Sequence, residues 1–205
     1  MKGLGLRVHV HKKGIRAFGV SESFIKSRSR ESILAGVVMR SDLIVDGFSF
    51  ATVTVGGMDS TQRIVEMIEN LGRDDVNVIL LNGCVISWYN VVDLNLLAES
   101  TKLPLICVTY RKSKGLERFF KELFSEDYEE RIEVYRRNGP RTEVTLRTGK
   151  RVFIRFIGMD LEEAESVLNK FTLVGSIPEP LRVARLLARS LMRSTLGTHL
   201  LDERS

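Results

Sequence analysis

The chain has 205 residues, 43% of them hydrophobic and 28% charged, with 4 Pro and 16 Gly, a composition that fits a globular protein and excludes a disordered or fibrous one. Lys and Arg number 31 against 26 Asp and Glu, and the formal net charge of +5 favours polyanionic partners, DNA or RNA among them. The N-terminal MKGLGLRVHVHKKG lacks the roughly 7–15-residue apolar run of a signal peptide, and no stretch reaches the roughly 18 residues that span a bilayer, so the expectation is a soluble, cytoplasmic protein without membrane contact.

The first strand signal is Ile15 to Glu22 (IRAFGVSE), followed by Ile33 to Arg40 (ILAGVVMR) and Ile44 to Val55 (IVDGFSFATVTV). Connections this short cannot make a parallel crossover, so the three form an antiparallel meander, with Gly47 marking a bend or bulge. The period then changes. Ile64, Met67, Ile68 and Leu71 fall at helical spacing, with Asp59 or Ser60 placed to cap the helix and Gly72 to end it. Val76 to Leu81 (VNVILL) has the continuous apolar character of a strand buried on both faces, and it opens into the turn Asn82-Gly83. A helix over Val91 to Ser100 and a second buried strand over Pro104 to Tyr110 complete a right-handed βαβ unit. Three antiparallel strands, helix, strand, helix, strand is the ribonuclease H-like order, an α/β fold on a mixed five-stranded sheet.

Beyond this unit, Gly115 to Phe124 and Asp127 to Arg137 read as charged surface helices. Thr142 to Leu146 and Val152 to Ile157 read as a hairpin about the turn Thr148-Gly149-Lys150. A helix over Leu161 to Phe171 follows, and a basic one runs from Leu181 to about Met192. The length fits one domain over residues 1–205, with a core over about 13–112 and a C-terminal hairpin and helical part over about 113–205.

Two divalent cations bridging a phosphate need carboxylates converging at strand ends. In this architecture the first strand, the start of the first helix and the end of the fourth strand supply them, and here those places hold Ser21-Glu22-Ser23, Asp59 and Asn82. The run ILLNGCVISWYNVVDLNLLAESTKLPLICVTYRKSKG resembles the endonuclease V pattern of strand, Asp-Gly, helix, strand and lysine-bearing turn, and IPEPLRVARLLAR resembles that family's basic last helix. FGVSESF, GGMDSTQRIVEM and WYNVVD are similar to a largely archaeal endonuclease V-like family with no settled activity, and the likeness spans roughly Lys13 to Arg193.

The resemblance implies acids at the positions of Ser21, Asp59 and Asn82, and a further one near Ala184 or Arg185. Of these only Asp59 is an acid, with Glu22 one residue beyond Ser21. Adjacent strand residues face opposite sides of a sheet, so Glu22 replaces Ser21 only across a local bulge. Asp59, Glu22 and Asn82 are therefore the candidate catalytic residues, and Asp59 and Glu22 the candidate ligands of Mg or Mn. An amide carries no charge, so weak or absent metal binding is expected, with no cofactor certain.

The duplex-opening wedge of endonuclease V, rich in Tyr, Ile and Pro, is replaced by Thr54-Val55-Gly56-Gly57-Met58, whose glycines suit a turn or a close phosphate approach. Trp88 and Tyr89, with Asn90, follow the strand-end turn, where an extruded base would find a stacking ring. Packing of Trp88 in the core or at a homodimer contact is the equal alternative. Arg111, Lys112 and Lys114, at the C-terminal end of a parallel strand, are the leading phosphate-contact candidates. Further basic clusters lie at Lys26, Arg28 and Arg30 and at Arg182, Arg185 and Arg189. Cys84 and Cys107 read as buried free thiols, Asp93 as a helix cap, and His9, His11 and His199 as incidental.

Three readings follow. The first, which the depleted site favours, is a nucleic-acid-binding endonuclease V-like protein with weak or lost metal-dependent phosphodiesterase activity, a pseudoenzyme in the limit. The second is an active Mg- or Mn-dependent endonuclease using Glu22 and Asp59. The third is a non-catalytic interaction protein that retains only the fold. A homodimer stays open under each.

Overall fold

A computed structural model describes residues 14–26 and 29–202, with side chains through residue 194, so His9, His11, Arg28 and the side chain of His199 lie outside the described residues. The meander forms as its sequence requires: β1 (Arg16–Ser23), β2 (Glu31–Arg40) and β3 (Val45–Thr54) pair antiparallel. The register between β2 and β3 slips beside Gly47, where Asp46 is the extra residue. Its carboxylate takes the Arg16 guanidinium at 2.6 Å and that of Arg73 at 2.9 Å.

The helix α1 (Ser60–Glu69) leads to β4 (Val78–Leu81), and α2 (Leu94–Thr101) to β7 (Leu105–Thr109), both strands lying parallel to β1. Between β4 and α2 the chain makes the small ribbon β5 (Val85–Ile86) and β6 (Asn90–Val91), which periodicity did not reveal because each strand is two residues long. The surface helices α3 (Glu117–Leu123) and α4 (Tyr128–Arg137) follow.

The hairpin of β8 (Thr142–Thr145) and β9 (Arg151–Ile157) corrects the expected sheet of five strands. It does not stand apart: β9 pairs antiparallel with β7, giving seven strands in the order β3-β2-β1-β4-β7-β9-β8. Val152 and Ile154 on β9 supply the apolar face that a sheet-joining strand needs. The chain ends in α5 (Leu161–Phe171) and α6 (Glu179–Asp202), the latter longer than its apolar spacing implied.

Helices α1 and α2 close one face of the sheet over Phe18, Val20, Ile79 and Leu81, while α5 and the start of α6 close the other over Ala17, Val78 and Leu80. The strand β1 is therefore central and apolar on both faces. A Cβ on Gly19 would lie 2.5 Å from the Cβ of Pro180, so only glycine lets α6 settle on β1. Among the described residues no helix is long and apolar enough to cross a membrane.

Candidate functional site

The strands β1 and β4 end side by side, and their last residues carry the polar groups. The β1–β2 register runs unbroken through Ser23, so no bulge turns Glu22 toward the face of Ser21. Ser21 is buried and donates its hydroxyl hydrogen bond to the Leu181 carbonyl of α6 at 3.0 Å. Glu22 points to the α1 side, where the Ser32 hydroxyl donates to it at 3.2 Å. Burial pushes the Glu22 carboxyl above its ordinary range, against donors from Ser32 and the Ser87 backbone and the field of Arg185. Glu22 and Asn82 border one small void at the strand ends.

Asp59 occupies the N-cap position of α1 but makes no capping hydrogen bond. Its carboxylate instead turns back to accept from the Thr54 amide at 3.1 Å, the Thr54 hydroxyl at 3.1 Å and the Asn90 side chain at 2.7 Å. Burial raises its carboxyl, but these donors outweigh burial and hold it below the ordinary value. Asp59 and Glu22 share no hydrogen-bond partner: Asp59 ties the β3–α1 loop, and Glu22 belongs to the strand ends.

The Gly56-Gly57 loop is a turn. The Gly56 amide donates to the Ser87 carbonyl and the Gly57 amide to the Thr54 carbonyl, which leaves neither amide free for a phosphate. The facing carbonyls are claimed by Arg131, which is 2% exposed and donates to Gly56 at 2.7 Å, to Gly57 at 3.1 Å and to the Tyr89 carbonyl at 2.8 Å. Asp127 pairs with this buried guanidinium at 2.6 Å. Arg131 thus clips the glycine loop to the β5–β6 turn, where Ser87, Trp88 and Tyr89 all have positive φ, from 44° to 66°.

Trp88 is half-buried, with the Lys26 ammonium 4.2 Å above its ring, while Tyr89 sits among Phe119, Phe120 and Phe124. Arg111, Lys112 and Lys114 are exposed on the β7–α3 loop. Lys112 borders a shallow cavity of about 390 Å³ with Glu143 and Arg151.

Arg111 borders a larger cavity, of about 620 Å³, that opens where β4 and β7 end. Asn82, Tyr110, Arg141, Arg155 and Arg185 also line it, and no carboxylate does among the described residues. Arg155 is 7% exposed and donates to the Gly139 carbonyl at 2.7 Å and to Cys84 Sγ at 3.2 Å. Cys84 and Cys107 are buried and free, as expected. A hydrogen bond from Cys107 draws the Cys84 thiol down to about 7 against burial, with the Arg155 charge helping, while the same bond and burial push Cys107 up. Asp93 caps α2 through the amides of Asn95 and Leu96, each at 3.1 Å, and pairs with Arg137 at 2.6 Å.

Sequence reasoning missed Arg131, Arg141 and Arg155. Arg131 lies in a run of alternating charge that reads as a solvated face, Arg141 at a Gly-Pro turn and Arg155 inside an apolar strand, and only the folded contacts with backbone carbonyls set them apart.

Residues 13–192 match the family described as endonuclease dU. The chain belongs to that family. A UPF0215 protein of Pyrobaculum aerophilum is 37% identical over 181 residues, covering 87% of this chain and 96% of that protein. One from Pyrococcus furiosus is 34% identical, with 89% and 94% covered. Among solved structures, a protein of unknown function from Archaeoglobus fulgidus superposes with a TM-score of 0.76 at 27% identity, covering 87% of this chain and 98% of that one. Human endonuclease V superposes with a TM-score of 0.61 at 20% identity, covering 96% and 91%, a likeness that shows the ribonuclease H-like fold.

Proposed function

We propose that the protein acts on nucleic acid as a slow endonuclease, with its reaction centre where β1 and β4 end, and that its substrate is the deoxyuridine-containing DNA to which the family name points. The observation that carries this reading is the pairing of a half-buried carboxylate, Glu22, with Asn82 around one void at the strand ends, beside a cavity lined by arginines. Ligands of open α/β sheets bind at such carboxyl ends.

A divalent cation is implied by the fold family. Among the described residues no three His, Cys, Asp or Glu side chains group to hold one, and the Asp59 oxygens are engaged by Thr54 and Asn90. The Glu22 carboxylate and the Asn82 amide oxygen are the pair that remains. They would be the pair to hold a single Mg or Mn ion, but the void they border is lined mostly by apolar side chains, Leu34, Ile64, Leu81, Ile86 and Val92, so the binding is expected to be weak; an ion held there would supply charge neutralisation and an acidified water. The rest falls to the chain's own groups. The Ser32 hydroxyl and Ser87 backbone hold Glu22 in place at the strand ends. The charge of Arg185 on α6 reaches the same carboxylate, which supports a role for it in attracting a phosphate.

The second reading, nucleic-acid binding without cleavage, is favoured by the engagement of Asp59. One assay separates the two. Single-stranded DNA bearing one deoxyuridine is incubated with the protein and Mn²⁺, and cleavage is expected that Glu22→Gln abolishes while binding persists. Salt-sensitive binding with no cleavage leaves the second reading standing. Neither binding nor cleavage removes both.

A further inference from the structure

The cavity of about 620 Å³ has a composition that the proposed reaction centre does not account for. Arg141, Arg155 and Arg185 line it, with Arg111 beside them, and the lining holds no Asp or Glu to neutralise them. Guanidinium groups stay charged at every pH the fold survives, so the excess is permanent. Arg141 donates only to neutral acceptors, the carbonyls of Arg111 at 3.1 Å and Ser113 at 2.9 Å and the Thr109 hydroxyl at 3.5 Å. Arg155 donates to a carbonyl and a sulfur and lies 5.1 Å from the centre of the Tyr135 ring. Arg185 makes no hydrogen bond or ion pair within 4 Å among the described residues, and its field reaches Glu22 and Tyr110. Tyr110 also lines this cavity, and its hydroxyl is buried with no hydrogen-bond partner among the described residues. Of these cations only Arg155 has a counter-charge in the lining, the Cys84 thiol drawn down to about 7, and a buried donor beside the remaining positive charge is the complement of an anion with several acceptor oxygens.

The charge count selects among anions. A backbone phosphodiester carries one negative charge, whereas a phosphate monoester carries about −1.5 to −2 at neutral pH with three acceptor oxygens, which suits several convergent guanidiniums better. The volume lies within the roughly 300–1,000 Å³ of small-ligand pockets. The side chains of Val85, Leu116 and Tyr135 add apolar wall for the sugar or base that such a phosphate brings.

We infer that this cavity is a phosphate-monoester pocket, built from Arg141, Arg155, Arg185 and the Tyr110 hydroxyl, that takes one terminal nucleotide unit. The unit is either a free nucleoside monophosphate or the phosphorylated end of a strand. The inference does not depend on cleavage, and its test is made without divalent cation.

Titration calorimetry of the full chain in EDTA at low salt uses three probes: thymidine 5′-monophosphate, 5′-phosphorylated hexathymidylate and the same hexamer with a 5′ hydroxyl. The phosphorylated hexamer is expected to bind about tenfold more tightly than the hydroxyl form, as one or two charge-assisted hydrogen bonds imply. Tyr110→Phe and Arg185→Gln should each remove most of that difference, and Tyr110→Phe should do so while leaving the hydroxyl hexamer's affinity and the melting temperature in place. Tyr110→Phe deletes only an orphaned oxygen, so loss of binding there has no structural excuse. Tighter binding of the phosphorylated hexamer than of the mononucleotide assigns the pocket to strand ends, and the reverse assigns it to free nucleotides. Equal affinity for the two hexamers without mononucleotide binding overturns the inference, as does a phosphate preference that survives both substitutions.

Discussion

At the scale of single residues, Glu22 is held against its own charge. Its carboxyl titrates above the ordinary 4.5 because burial outweighs the Ser32 and Ser87 donors, so over that window the folded chain keeps a proton the unfolded chain has released. Stability from this group is complete below 4.5 and is lost as pH rises through the folded value. Glu22→Gln should therefore raise the melting temperature at pH 7 and change it little at pH 4, which thermal melts at the two pH values will check. A substitution that stabilises the fold while abolishing cleavage is the mark of a side chain kept for chemistry. Equal melting temperatures at pH 7 would mean that the carboxylate is well compensated after all.

Among the elements, the β5–β6 turn stores the most strain. Ser87, Trp88 and Tyr89 stand consecutively at positive φ, a conformation that costs roughly 1–2 kcal/mol for each L-residue. The Ser87 hydroxyl is also buried without a partner. Ser87→Gly relieves both and should stabilise the protein by about 1 kcal/mol after glycine's entropy is counted, a rise of about 2–4 °C in melting temperature. Differential scanning calorimetry decides it. This turn was not legible in the sequence, since ISWYNV contains no glycine to announce a left-handed backbone. The long elements were legible. Apolar runs between turn signals placed β1 to β3, and α5, whose one buried face fixes its period, was read to the residue. The strand-end positions of Ser21, Glu22 and Asn82 were also legible, since strand ends can be located from periodicity. What escaped was contact across distance. Periodicity could not bring β9 beside β7, or Arg155 beneath Cys84 across 71 positions.

For the molecule as a whole, the sheet depends on how closely α6 approaches it. Gly19 lies under Pro180, and Gly36 under the Phe18 ring, whose nearest atom would be 2.2 Å from an added Cβ. Gly19→Ala should cost about 1–3 kcal/mol by forcing α6 off β1, measurable as a lower urea midpoint with an unchanged slope. Displacing α6 also shifts Arg185, so the same variant should weaken nucleic-acid binding. An unchanged midpoint would show that α6 yields at no cost.

The packing of α6 on β1 and β2 joins the end of the chain to its beginning. A ribosome releases the meander long before it has made the helix that covers it. Until α6 emerges, Ala17, Gly19 and Val37 face water on a sheet whose other side is already supplied with α1 and α2. The nascent protein therefore passes through a half-covered state in every round of synthesis, open to chaperones and to aggregation. Messages truncated before codon 179 should yield insoluble product, whatever the stability of the finished fold.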